Sequence, residues 1–168
     1  MCMWTMKWLE LPTTVKPEEY AAEHRQLAYD HLTQLVEALG VKPIRMASVA
    51  FWGLSEVGDP AKWVAGRFFR EDLLKEPFNR PETLEIHSHK VFSFGSAGAS
   101  FQVNSWARLK TEELVQPGPR LAKKVITLTS DINTLAESRE IIALASLSAF
   151  FAQTWEQHGN VRRLYLGQ

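Results

Sequence analysis

The chain has 168 residues, the size of one domain and long enough to enclose a core without disulfide or metal staples. Hydrophobic residues make up 45% and charged residues 23%, which excludes the disordered class; 19 Lys and Arg balance 19 Asp and Glu, which removes the general attraction to phosphates that nucleic-acid or anionic-membrane binding draws on. The single cysteine, Cys2, excludes an intramolecular disulfide and a Cys-rich zinc site and fits a reducing, cytoplasmic setting.

Residues 3 to 11 alternate as a strand does, with Trp4, Met6 and Trp8 on one side and Thr5 and Lys7 on the other, until Pro12 stops the run. The same residues lack the basic start and continuous apolar stretch of a secretory signal. Pro17, Glu18 and Glu19 suit a first helical turn, where proline's missing N–H is no loss and acidic groups meet the positive end of the dipole. This helix is predicted to run to Leu39 and stop at Gly40. Its Tyr20, Leu27, Ala28, Leu32, Leu35, Val36 and Leu39 recur at helical spacing, so one face must pack against something. His24 and His31 fall at the edge of that stripe, where a third metal ligand could come from but where a histidine is ordinarily packed on the core rim. Ile44 to Leu54 is apolar on both sides, Met46, Ala50 and Trp52 against Ala47, Val49 and Phe51, which predicts a central strand with both faces covered.

Asp59 followed by Pro60 opens a second helix, expected to continue through Trp63, Val64, Phe68, Phe69, Leu73 and Leu74 up to Pro77. Two strands follow, 84–94 and 99–109, joined by a hairpin turn at Gly95-Ser96-Ala97-Gly98. Gln116-Pro117-Gly118-Pro119-Arg120 reads as a loop and 124–129 as a short strand. The last helix is predicted from Leu135 or Glu137 to His158, ended by Gly159 and followed by a strand over 161–166. His158 then sits at a helix C-terminus, where the dipole explains it. The most apolar run, 141–152, is too short to cross a bilayer.

No linker, repeat or low-complexity tract divides the chain, so residues 1–168 are expected to form a single α+β domain. An obvious hairpin and few helices favour a mostly antiparallel sheet with helices packed on one face, drawn first as a ferredoxin-like core with insertions.

The feature with most chemical content is Glu85-Ile86-His87-Ser88-His89. Period two puts Glu85, His87 and His89 on one side of the pleat. With the turn centred on Ser96 and Ala97, His87 is expected to face Trp106, His89 to face Asn104 and Glu85 to face Arg108. Leu84, Ile86 and Phe92 then share a core face with Phe101, Val103, Ala107 and Leu109, although Lys90 would fall on that face and warns of a shifted register or a bulge. The opposite side carries Glu85, His87, His89, Gln102, Asn104, Trp106 and Arg108 as a candidate ligand or partner face. Solvated polarity is the ordinary state of such a face. His87 and His89 are also candidate metal ligands, with Glu85 able to complete an open three-ligand set for a divalent cation; no cofactor is otherwise favoured.

Nucleophilic catalysis has no motif: there is no G-x-S-x-G elbow, no Ser–His–Asp spacing, and the glycine-bracketed turn lacks the Lys-Ser/Thr of a phosphate loop. The short basic groups, Arg120 with Lys123 and Lys124, and Arg162 with Arg163, read as solvated surface, so nucleic acid is not an expected partner. The last helix is apolar around most of its circumference, which nominates Ile142, Leu147, Phe150 and Trp155 as an interface with another subunit. The sequence therefore favours a non-enzymatic binding or assembly module, a homo-oligomer or part of a larger complex. The alternatives are a small metal-dependent or ligand-transforming enzyme on the Glu85/His87/His89 face, and a binder of a small apolar or aromatic ligand.

Overall fold

A computed structural model describes residues 17–42, 45–54, 57–70, 83–96, 99–115, 122–135 and 144–167. The elements are α1 (Pro17–Leu39), β1 (Ala47–Leu54), α2 (Pro60–Phe68), β2 (Glu85–Ser96), β3 (Ala99–Val115), β4 (Ala122–Thr134) and α3 (Leu144–Leu166). The four strands form one antiparallel sheet in the order β1-β4-β3-β2, and the helices cover one of its faces. The fold class is thus the α+β one the sequence implies. Its strand order is a β2-β3-β4 meander with β1 added beside β4, not the interleaved order of a ferredoxin-like core. The expected strand at residues 3–11 and the loop at 116–120 lie outside the described residues.

Alternation decides which side of each strand is buried. Val103, Ala107 and Leu109 of β3 meet Ile126, Leu128 and Ile132 of β4 on the covered face, all buried. One cluster joins Val64 of α2 and Val161, Tyr165 and Leu166 of α3 to the sheet; a second joins Phe150 of α3 to Val103 and Ile132. Polar residues on this face are paired rather than absent: Thr134 Oγ1 accepts from the Met46 N–H at 3.1 Å, and the Tyr165 hydroxyl donates to Ser88 Oγ at 2.6 Å. β4 runs past the expected 124–129 because Ser130, Ile132 and Thr134 keep the alternation going with hydroxyls on the inner side.

Asp59 caps α2 as the sequence implies, its side chain accepting from the Lys62 N–H at 3.1 Å with Pro60 in the first turn. The helix ends at Phe68 rather than at Pro77, because Phe69 turns extended while its N–H still bonds Ala65. Phe68 packs on the Tyr165 ring at 5.6 Å, which fixes that end against α3. Replacing Asp59 by Ala is expected to cost about 1 kcal/mol in urea unfolding, the worth of one capped N–H.

The last helix departs most from expectation. Gly159 does not stop it; α3 continues through 161–166, the segment expected to be a strand, and ends before Gly167 at φ 76°. Val161 and Tyr165 follow His158 at helical spacing and are buried, so packing overrides glycine's low helix propensity. His158 is therefore inside the helix and in the core, and the dipole explanation for it falls.

α1 ends at Gly40 with φ 59°, the left-handed conformation that favours glycine. It packs on α3 through buried Ala28, the edge contact of Tyr29 on Phe151, and Arg25 over the Trp155 ring at 5.5 Å. Leu27, Leu35 and Leu39 stay exposed, and His31 is exposed rather than packed on the core rim. β1 is an edge strand among the described residues, with Val49 and Phe51 exposed, so the expectation of a central strand covered on both faces is not met there.

Candidate functional site

The uncovered face of the sheet collects the residues that the alternation of β2 and β3 nominates. Reading across from β1 to β2, Val49, Asp131, Trp106 and His89 form one row, and Phe51, Thr129, Arg108 and His87 the next. Ala47, Asn133, Asn104 and Val91 flank them on one side; Gly53, Thr127, Lys110 and Glu85 flank them on the other. Gln102 is exposed one step beyond Asn104 on β3, opposite Ser93.

The face is as expected, but the pairing is displaced by two residues. His87 stands opposite Arg108, His89 opposite Trp106 and Glu85 opposite Lys110. Ser96 pairs with Ala99, which leaves Ala97 and Gly98 between the strands and moves the turn by one residue. An even displacement keeps every side chain on its own face, so the face survived the error while each partner changed. Lys90 does fall on the inner side, and no bulge is needed to explain it. β2 is an edge strand among the described residues, Lys90 is exposed there with Nζ 5.8 Å from the Phe92 ring centre, and an inward-pointing charge blunts such an edge.

Two linked groups form on this surface. Glu85 Oε1 receives His87 Nε2 at 2.7 Å and Arg108 Nε at 2.9 Å. Arg108 Nε also lies 3.2 Å from His87 Nε2, but that nitrogen cannot accept from arginine while donating to the carboxylate. The shorter contact decides, and it assigns the proton to Nε2. The His87 hydrogen bond, then the positive Arg108, hold the Glu85 carboxyl below its ordinary value.

The second group begins at a stacked pair, with the His89 and Trp106 ring centres 3.9 Å apart and 13° from parallel. His89 Nε2 contacts Asn104 Oδ1 at 3.0 Å, Asn104 Nδ2 donates to Asn133 Oδ1 at 3.3 Å, and Asn133 Nδ2 donates to Asp131 Oδ1 at 3.0 Å. Polar side chains from three strands are thus held in fixed positions around a half-exposed tryptophan.

The sequence reading missed Asp131, Asn133, Lys110, Val49 and Phe51 as members of this face. The signal was present in β4, where Thr127, Thr129, Asp131 and Asn133 alternate with Leu128 and Ile132. It was absent in β1, where both sides are apolar. Among the described residues, no group of three or more His, Cys, Asp or Glu stands together so as to hold a metal ion.

Of the residues nominated as an interface on the last helix, Leu147 and Phe150 are buried within the chain itself. Trp155 is 38% exposed beneath Arg25, and Ile142 lies outside the described residues. The helix is apolar on two sides because the sheet takes one and α1 the other.

A second cluster has no signal in sequence spacing. His158 Nε2 lies 2.9 Å from Ser48 Oγ on β1, and Nδ1 lies 2.8 Å from Ser130 Oγ on β4, with Trp52 edge-on to the ring. Burial pushes its pKa down to about 4, so the ring is neutral at pH 7 and donates through one nitrogen while accepting through the other. The imidazole ties α3 to two strands and closes a polar gap in the core.

No helix among the described residues is long and apolar enough to cross a membrane. Comparison of the chain with family models, with curated proteins and with solved structures finds no match.

Proposed function

We propose that this chain is a non-enzymatic assembly module that pairs with a second copy of itself through the open face of its sheet. The observation that carries this reading is the exposure of large apolar groups on one continuous surface: Phe51 at 72%, Val49 at 47%, Val91 at 49% and Trp106 at 44%. Val49 and Phe51 are neighbours on β1 and Trp106 and Val91 are diagonal neighbours on β3 and β2, with Asp131 and Thr129 of β4 between the two pairs, and apolar groups exposed on one face in this way mark sites of association.

The choice of a second copy follows from symmetry and charge. A two-fold partner must meet the same surface with itself. If one sheet is turned over about an in-plane axis crossing the strands between the Val49–His89 row and the Phe51–His87 row, those two rows exchange. Val49 then meets the partner's Phe51, and Trp106 meets the partner's Arg108, an aromatic face against a guanidinium. Asp131 meets Thr129, Lys110 meets Asn104 and Glu85 meets Val91, so no charge faces its like. The balanced charge of the whole chain also removes the repulsion that a strongly signed protein would suffer on pairing. Sheets packed face to face within about 30° of alignment are an ordinary architecture.

Glu85, His87 and Arg108 satisfy one another, and His89 is engaged with Trp106 and Asn104. This supports a preformed recognition surface more than an open coordination sphere or a set of poised catalytic groups.

Phe51→Glu tests the reading without disturbing the core, since the ring is largely in solvent. The variant should keep its unfolding midpoint within about 1 kcal/mol and lose at least about tenfold in self-affinity by sedimentation velocity. Equal self-affinity of variant and parent would remove the open face from the account.

A further inference from the structure

Turning one sheet over onto its copy brings histidines together as well as apolar groups. His89 ends the row that holds Trp106 and His87 ends the row that holds Arg108, so exchange of those rows sets His89 of each protomer against the partner's His87. Two such pairs form in one dimer. Both rings start in solvent, the His87 side chain at 45% and His89 exposed likewise. Their protons are placed from within each chain. His87 Nε2 donates to Glu85 Oε1. Asp131 accepts from Asn133 Nδ2, Asn133 Oδ1 then accepts from Asn104 Nδ2, and this leaves Asn104 Oδ1 to accept from His89 Nε2. In both rings Nδ1 is therefore the nitrogen that takes up a further proton.

We propose that this cross-dimer histidine pair is a proton-operated release, by which two copies pair while the rings are neutral and separate when both are protonated. The release rests on the face-to-face reading above and adds its regulation. Charges about each pair decide the sign. His89, the partner's His87, and the Glu85 and Arg108 that bind that His87 have no net charge together while both rings are neutral, because one carboxylate offsets one guanidinium. With both rings protonated the same group carries two positive charges, and its carboxylate oxygen is already shared by His87 and Arg108.

Among the described residues of this face, no other group supplies the missing anion. Lys110, beside Arg108 on β3, is a further cation and is held by Glu112. Asp131 stands beyond Trp106 on β4, two strands from β2, and is engaged with Asn133. β1 contributes only Val49 and Phe51 to the two rows, and Lys90 lies on the inner side of β2 beside Phe92. The partner presents the same face, so the same groups meet each ring from across the interface. The attraction of Glu85 for His87 exists in the free chain as well and so favours neither state. What pairing adds is loss of water around the rings and a second cation opposite, and both disfavour protonation. By linkage, protonation weakens pairing to the same extent.

Sedimentation equilibrium on the full chain tests the release, with far-UV circular dichroism to confirm the fold at each pH. Between about pH 7.5 and about pH 5, which brackets histidine's ordinary titration, the self-association Kd is expected to weaken at least about tenfold. The slope of log Kd against pH should approach about two protons released per dimer, one for each pair. In His87→Gln/His89→Gln, whose amides still donate toward Glu85 and Asn104, the two Kd values should agree within about threefold. Protonation of buried His158 weakens the fold of parent and variant alike, so a step that persists in the double variant overturns the proposal. A parent that pairs equally at both pH values overturns the release and leaves the face-to-face reading standing. A one-copy mass at the higher pH overturns both.

Discussion

Between pH 6.5 and about 4 the folded chain is expected to lose about 3 kcal/mol of stability through one imidazole, His158. Its folded pKa lies below its unfolded value, so between the two values the unfolded chain binds a proton that the folded chain refuses. Stability therefore rises with pH across this window, with a slope of about 1.4 kcal/mol per unit for one proton, and is flat above it. The cause is desolvation, because the contacts on the ring are two serine hydroxyls and Trp52 rather than a charge. Glu85 and Glu112 also have displaced pKa values, and a lowered carboxyl gives stability that is present above its ordinary value of 4.5 and lost only as pH falls below it. The upper part of the window thus belongs to His158. Urea midpoints taken at half-unit steps of pH should show the slope in the parent and lose it in His158→Gln. An imidazole that titrates near 6.5 in the folded protein would mean that His158 is not buried between α3 and the sheet.

Phe150→Ala is expected to cost about 3–5 kcal/mol, a large share of the ~5–15 kcal/mol that holds a domain together. The ring is 2% exposed and fills the space over Val103 and Ile132, with Met46 and Phe92 at its margin. Truncation removes the transfer energy of the ring and leaves a cavity that a regular sheet cannot collapse to fill. Trp155→Ala on the same helix provides the contrast, since that ring is 38% exposed and meets Arg25 rather than the sheet. It should cost about 1 kcal/mol. Similar losses for the two variants in chemical denaturation would show that α3 is rotated from the orientation described.

That pairing also shows what could and could not be read from the letters. The broad apolar circumference of α3 was legible, but not whether another subunit or the chain's own sheet and α1 consume it. Alternation in 85–94 and 99–109 gave the open face, because period two survives an even slip, while the cross-strand partners depended on a turn position displaced by a single residue. β4 was cut short since Ser130, Asp131, Asn133 and Thr134 resemble loop composition. Their hydroxyls and amides are instead satisfied by His158, Met46 and one another. The end of α3 was misplaced because glycine's weak propensity at Gly159 loses to the burial of Val161, Tyr165 and Leu166. The Ser48–His158–Ser130 contact joins residues 28 and 110 positions apart, and nothing local announces it.

Sedimentation equilibrium of the parent chain over a roughly hundredfold dilution addresses pairing through the open face most directly. A two-copy mass that falls to one copy on dilution, with Trp106→Ala shifting that fall to higher concentration, is the outcome predicted. A one-copy mass at every concentration, or a two-copy mass indifferent to both Phe51→Glu and Trp106→Ala, contradicts it.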